Sequence, residues 1–213
     1  MQNDEMGNSG YSLIGKKAPN FVARSTKGDI RLSDFSGKWV LLFCHPADFT
    51  PVCTTEFVSL SEHKDAFDAL NVQLLGLSID SIFSHRNWIE WINAQFEVSI
   101  DFPVIEDVSM EIARAYQMID GSQTSTATVR SCVFIDPDQI IQSLIHYPMH
   151  VGRSIDELLR VQQALIETQD NSLATPANWQ PGDGFMNIDP DNFFESSGNW
   201  LEQTIRGKTF ARS

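Results

Sequence analysis

The stretch HPADFTPVCTTEF, residues 45–57, sets a cysteine three residues after Thr50 and two after Pro51. A Thr-Pro pair is a strong helix start, with Thr50 suited to the N-cap and Pro51 to the first helical position, where no N–H is needed. Cys53 then falls in the first turn, where backbone N–H groups without intrahelical partners converge. Those donors and the positive end of the helix dipole favour a thiolate over a thiol, the form a nucleophilic cysteine requires. A small apolar residue buried at a strand-to-helix corner fits the same spacing, so spacing alone leaves both readings open.

Cys44 and Cys132 lie in strongly apolar runs and read as inert core residues. A Cys44–Cys53 disulfide would have to cross a strand end and an ordered turn. Arg130 stands beside the run CVFI, where an unpaired charge is costly. It is either an end-of-strand residue reaching solvent or a paired functional cation. His146 and His150 have the four-residue spacing of some metal sites, but Pro148 interrupts any helix between them and no acidic third ligand is in register, so no metal is expected.

The elements that would position these residues alternate between β-rich runs and helical periodicities from about Leu13 to Ile166, the pattern of an α/β domain. WVLLFC (39–44), VQLLGLSI (72–79) and VRSCVFI (129–135) read as central strands covered on both faces. IIQSLIHY (140–147) follows the turn signal DPDQ, which predicts an antiparallel hairpin. Apolar spacing predicts a helix over 54–70 through Phe57, Leu60, Phe67 and Leu70, and another over 84–96 that gathers Trp88, Trp91, Ile92 and Phe96 on the sheet. Ser154 with Glu157 forms a capping-box pattern ahead of a third sheet-packing helix. After Thr168 the chain turns to Asn, Gly, Pro and Asp, yet retains Trp179, Phe185, Phe193, Phe194, Trp200 and Phe210. So many aromatics imply packing, with a partner subunit the expected surface. SQTSTAT (122–128) reads as a loop.

With 213 residues, 42% apolar and 20% charged, the chain has the composition of a soluble globular protein. A formal charge of −13 with no basic patch argues against nucleic acid or anionic membrane as partners. No apolar run approaches the roughly 18 residues that a membrane span needs. The polar, acidic start MQNDEMGNSGYS lacks the pattern of a secretory signal. Three cysteines without CxxC or metal-ligand spacing fit a reducing compartment.

HPADFTPVCTTE resembles the peroxiredoxin active-site signature, in which proline, threonine and cysteine follow PxxxTxxC, here Pro46, Thr50 and Cys53. The resemblance continues through LLGLSIDS, VRSCVFIDPD, IHYPMHVGRSIDELLRVQQAL and ATPANW, covering about residues 14 to 180. These later blocks resemble the one-cysteine subfamily, the peroxiredoxin 6-like and archaeal-type group. The resemblance implies an α/β, thioredoxin-like fold: a central mixed β-sheet flanked by helices, with a C-terminal extension. It implies a flexible leader (1–12), a peroxidase domain (13–168) and an extension (169–213) packed on a partner subunit.

By the same resemblance, Cys53 is the peroxidatic cysteine, whose thiolate attacks a peroxide oxygen and becomes a sulfenic acid. Thr50 is the hydroxyl that holds sulfur and peroxide, Pro46 the lid that keeps water off the sulfenate, and Arg130 the cation that fixes thiolate and peroxide oxygens. His45 and Arg153 match residues at the peroxide pocket, although His45 equally suits a wall residue. Glu56 is placed to orient the arginines, and a first-turn glutamate is also explained by the helix dipole.

Two departures from the family are informative. No cysteine follows Cys132, so no resolving cysteine is assigned. The sulfenic acid is then reduced by an external thiol (thioredoxin, glutaredoxin or a small thiol), unless local unfolding brings Cys44 or Cys132 into reach. The serine-containing GDSWG of phospholipase-active relatives is SGKWV here (36–40), so lipase activity is not expected. The implied function is a cofactor-free, cytoplasmic thiol peroxidase acting on hydrogen peroxide and alkyl hydroperoxides, assembled as a homodimer or a ring of five dimers. A peroxide sensor or redox-switched chaperone is the alternative; a thioredoxin-type disulfide oxidoreductase would need the missing CxxC.

Overall fold

The computed structural model describes residues 12–119, 127–169 and 173–187. The strands of its main sheet are β1 Val22–Ser25, β2 Gly28–Arg31, β3 Trp39–Cys44, β4 Val72–Ser78, β5 Val104–Glu106, β6 Arg130–Ile135 and β7 Ile141–Tyr147. They lie side by side in the order β2-β1-β5-β4-β3-β6-β7. The three near-continuous apolar runs thus occupy the middle: β3 runs parallel to β4 and antiparallel to β6, and every residue of β3 and β6 is buried. β6 and β7 form the antiparallel hairpin that DPDQ predicts. Gln139 takes the left-handed conformation its turn needs (φ 63°). The hairpin β1–β2 was not anticipated, because this edge ribbon buries only Ser25 and Ile30 and shows no apolar run.

Strand residues alternate between two covered faces. On one, Val40, Leu42, Leu75, Leu77, Val133 and Ile135 share a core with Leu32, Tyr116, Met118 and helix α4 (Glu111–Ala115). On the other, helices α1 (Pro51–Glu62) and α3 (Ile82–Phe96) bring Phe57 and Trp88 together, with ring centroids 4.6 Å apart. Phe43 of β3 joins them, 5.7 Å from Phe57. Gly76 of β4 makes room for it: a Cβ there would stand 3.3 Å from both Phe43 and Val104.

The helix expected over 54–70 begins earlier, at Pro51, and breaks at His63 (φ −96°, ψ 4°), after which α2 (Lys64–Ala69) follows. The His63 ring turns back to the Ser59 carbonyl, with Nδ1 2.7 Å away, giving the last turn a side-chain partner in place of helix continuation. In α3 the Ser81 hydroxyl accepts the Ser84 N–H and caps the helix. Trp88 and Ile92, four residues apart, face inward, but Trp91 and Phe96 lie on the flanks and are 44% and 46% exposed. They meet each other at 6.1 Å, and Trp91 meets the exposed Phe49 at 6.3 Å.

The chain divides into two compact units after Arg153. The second contains α5 (Ile155–Glu167), whose first turn is capped by the Ser154 hydroxyl accepting the Glu157 N–H. It also contains the short pair β8 (Leu173–Ala174) and β9 (Met186–Asn187). Trp179 is buried here, donating from Nε1 to the Asp183 carbonyl and stacking near Phe185, while Arg160 of α5 donates to the Trp179 carbonyl. The leader, most of SQTSTAT, and Phe193, Phe194, Trp200 and Phe210 lie outside the described residues. Among the described residues no helix is long and apolar enough to cross a membrane.

Truncating the fully buried Phe57 to alanine should lower stability by about 3–5 kcal/mol. Removing the α3 cap with Ser81→Ala should cost about 1 kcal/mol. Urea denaturation of the two variants beside the wild type checks both.

Candidate active site

β3 delivers the chain into the loop 45–50, and α1 carries it away. Thr50 has the extended conformation of an N-cap (φ −101°, ψ 147°), and the first intrahelical bond runs from the Thr54 N–H to the Thr50 carbonyl at 3.0 Å. Cys53 is therefore the third helical residue, where N–H groups lack intrahelical acceptors. It is fully buried. The Thr50 hydroxyl does not cap the helix as expected; it donates to the Ala47 carbonyl at 2.8 Å, bracing the loop instead. Pro46 is buried in this loop. Phe49 takes a left-handed backbone (φ 57°), uncommon for an aromatic residue.

Arg130, the first residue of β6, points across the sheet face to α1. Its Nη1 donates to the Cys53 sulfur at 3.2 Å and to Glu56 Oε2 at 2.8 Å, while Nε donates to the Met149 carbonyl. Glu56 lies three residues beyond Cys53, so one helix face presents both to the arginine. It falls in the second turn of α1, not the first, and two guanidiniums rather than the helix dipole account for it. Arg153 donates to both Glu56 oxygens, from Nε at 3.0 Å and from Nη2 at 2.7 Å, with its backbone N–H adding a third bond at 2.8 Å. Burial pushes the Glu56 carboxyl up, but the charge and hydrogen bonds of Arg153, then the charge of Arg130, outweigh it and hold the group below the usual carboxylate range.

The remaining donor of Arg153, Nη1, reaches the carbonyls of Cys44 (3.0 Å) and Ser131 (3.2 Å) and the sulfur of Cys132 (3.7 Å). Arg153 is thus joined to Cys53 through Glu56 and Arg130. Burial pushes the Cys132 thiol up to about 11, against the opposing charge of Arg153. Cys44 donates to the Val129 carbonyl and accepts the Ser131 N–H, and burial raises its pKa too. All three cysteines are free.

His45 faces another partner. Its Nε2 lies 2.8 Å from Asp48 Oδ1, and Asp48 in turn is 2.9 Å from Nδ1 of His85 on α3. Burial lowers the pKa of His45 despite Asp48, leaving a neutral ring that donates from Nε2. For Asp48, burial pushes the carboxyl up, yet the hydrogen bonds from the two imidazoles bring it far below its ordinary range. His45, Asp48 and His85 have metal-ligand chemistry and their ligand atoms cluster within 4.8 Å, but their hydrogen bonds to one another already account for the cluster. Asp48 and His85 were missed in the sequence. HPAD places Asp48 in the loop with His45, whereas nothing local to His85 marks it; only the tertiary fold brings α3 alongside.

The AhpC/TSA family model matches residues 14–144, more than half of the chain. A peroxiredoxin from Thermoplasma volcanium is 53% identical over 170 residues, covering 80% of this chain and 83% of that one. Among solved structures, a yeast mitochondrial 1-Cys peroxiredoxin is similar with a TM-score of 0.77 and 38% identity, over 87% of this chain and 92% of the other. Peroxiredoxin 6 of Arenicola marina is similar with a TM-score of 0.80 and 36% identity, over 89% of each. Both share the thioredoxin-like arrangement of a mixed sheet with flanking helices.

Glu56 compensates two buried cations, so Glu56→Gln should destabilise the protein by about 3–5 kcal/mol at neutral pH. Because the folded carboxyl titrates below its unfolded value of about 4.3, its contribution is complete above that pH and is lost as pH falls through the folded pKa. Urea denaturation of wild type and Glu56→Gln across acid pH should therefore show the gap closing only below about pH 4.

Proposed function

The chain belongs to the AhpC/TSA family, to which its peroxiredoxin relatives point, and we propose that Cys53 is the residue through which it reduces peroxides at the expense of a thiol. The observation that carries this reading is the Arg130 guanidinium donating to the Cys53 sulfur at 3.2 Å, at the N-terminal turn of a helix. The Cys53 thiolate attacks one peroxide oxygen, the O–O bond breaks, and the departing oxygen leaves as water or an alcohol after taking a proton. Cys53 is left as a sulfenic acid. Arg130 stabilises the charge that moves from sulfur to the departing oxygen. Thr50 braces the loop and offers its hydroxyl to the peroxide, and Pro46 shields the sulfur from water. Arg153 acts from behind, by holding Glu56 and through it Arg130, and His45 forms a wall of the site.

An external thiol then attacks the sulfenic sulfur, releasing water and forming a mixed disulfide that a second thiol resolves. The yeast relative is described as resolved through glutathione and thioredoxin systems, which supports a reductant of the thioredoxin, glutaredoxin or small-thiol class here. We further propose a cytoplasmic homodimer, gathered into a ring of five dimers, in which the extension 169–213 packs on the 13–168 domain of a partner subunit. The three free cysteines suit a reducing compartment. The exposed rings of Phe49, Trp91 and Phe96 supply apolar surface for self-association.

After one equivalent of hydrogen peroxide, intact-mass measurement should show one added oxygen on the wild type and none on Cys53→Ser, with turnover in added dithiol lost in that variant. Full turnover by Cys53→Ser would overturn the assignment. Arg130→Gln should slow the peroxide step by about 100-fold or more, while Cys44→Ser and Cys132→Ser should leave it intact. Sedimentation velocity should find Trp91→Glu in smaller assemblies than the wild type.

A further inference from the structure

We propose that His85 is a positioning residue that latches the loop 45–50 in its closed form and so sets how readily oxidised Cys53 is presented to its reductant. The inference rests on the assignment of Cys53 given above. Cys53 is fully buried. A peroxide is small enough to enter a narrow opening, but a thiol must approach the sulfur in line with the bond it breaks, and a protein-borne thiol brings a large body with it. The loop that leads into α1 must therefore lift between the two half-reactions.

That loop packs the His45 ring against Phe57 and Trp88 and the Phe49 ring against Trp88 and Trp91, and the His45 N–H donates to the Leu77 carbonyl at 3.0 Å. The Thr50–Ala47 and His45–Asp48 hydrogen bonds lie within the loop and move with it. The ties to other elements include the Thr128 hydroxyl on the His45 carbonyl (2.9 Å), the Asp48 N–H on Asp80 (3.0 Å), and His85 on the Asp48 carboxylate. Of these hydrogen bonds, only that of His85 reaches both oxygens of the carboxylate it meets. His85 Nδ1 lies 3.1 and 2.9 Å from the two Asp48 oxygens, and its Nε2 lies 3.1 Å from the Ile105 carbonyl. Both ring nitrogens face acceptors, and an Nδ1–H donating to the Asp48 carboxylate makes a charge-assisted bond, roughly twice as strong as a neutral one. The side chains of both residues are shut off from water. Phe49, next in the chain, holds a left-handed backbone that relaxes once the loop is free.

The latch sets a competition. While it is closed, a second peroxide oxidises the sulfenic acid to sulfinic acid, the peroxide leaving as water or alcohol. When it opens, the reductant's thiolate attacks the sulfur, expelling the oxygen as water and forming the mixed disulfide. A weaker latch favours reduction over sulfinic acid.

Two substitutions separate the His85 nitrogens. Glutamine places an amide near the Nε2 position and keeps a donor for Ile105 only; asparagine places one near Nδ1 and keeps a donor for Asp48. Protein oxidised with one equivalent of hydrogen peroxide is mixed with dithiothreitol or thioredoxin, and reduction of Cys53 is followed by rapid quench and intact mass. Expected for His85→Gln are an unchanged first oxidation, reduction faster by about tenfold, the scale of a lost charge-assisted hydrogen bond, and less sulfinic acid under excess peroxide. His85→Asn should behave as wild type. Wild-type reduction kinetics in His85→Gln, or equal behaviour of the two variants, would overturn the latch. Should His85→Gln not fold, hydrogen exchange on the wild type decides: exchange of the Asp48 amide through a local opening supports the latch, and exchange only through global unfolding refutes it. An inactive Cys53→Ser beside unaltered His85→Gln sinks the latch alone, whereas an active Cys53→Ser sinks the reading beneath it.

Discussion

Two guanidiniums share one carboxylate beneath the α1 helix, and the site depends on that imbalance. Arg130 and Arg153 are both buried, and Glu56 meets both through its Oε2 atom, at 2.8 and 2.7 Å. One buried positive charge is left over, which an apolar interior does not tolerate without a partner. Arg130 aims its surplus at Cys53, whose thiolate would bring the buried charge to zero. The same carboxylate ties together α1, the start of β6 and the segment ending at Arg153, three places far apart in sequence. Folding and chemistry here draw on one set of hydrogen bonds, and a change at Glu56 acts on both.

Much of this was readable from local pattern. The central strands announced themselves as continuous apolar runs because both faces of the sheet are covered, and Thr50-Pro51 fixed the start of α1 because a helix start is a local event. Arg130 stood out because a charge beside CVFI demands a partner. Its partners, Cys53 and Glu56, came from the family resemblance and not from local pattern, because the more than seventy residues between them are closed by tertiary pairing such as that of β3 with β6. The misses share this cause. Thr50 turned its hydroxyl to Ala47, Trp91 and Phe96 fell outside the core, and His85 closed on Asp48, each decided by neighbours that sequence spacing does not reveal.

The loop 45–50 is held from two sides with different chemistry. On the Cys53 side the bonds run from a fixed cation to sulfur and carboxylate; on the Asp48 side they run from two imidazoles to a carboxylate. The first arrangement sets a fixed positive charge against the Cys53 sulfur. The second sits one residue before the strained Phe49 and three before the start of α1 at Pro51, so it governs position rather than reactivity. A site that must react with a small peroxide while closed and with a larger thiol while open gains from keeping these tasks on separate contacts.

The other two cysteines show why the thiol should come from outside. Cys132 lies two residues beyond Arg130 on β6 and so faces the same side of the sheet as the site, but it is fully buried and paired opposite Phe43 at the end of the β3–β6 ladder. Cys44 ends β3, and its sulfur is already engaged with the backbone of Val129 and Ser131. For either to reach an oxidised Cys53, strand pairing at the centre of the sheet would have to yield along with the buried Arg153 bonds beside it. Lifting the loop leaves the pairing of the central strands intact. Burial also pushes both thiols away from the reactive thiolate form, Cys132 up to about 11, so each would attack slowly even if it arrived. Opening the loop to a reductant that carries its own thiolate is the lower path on both counts.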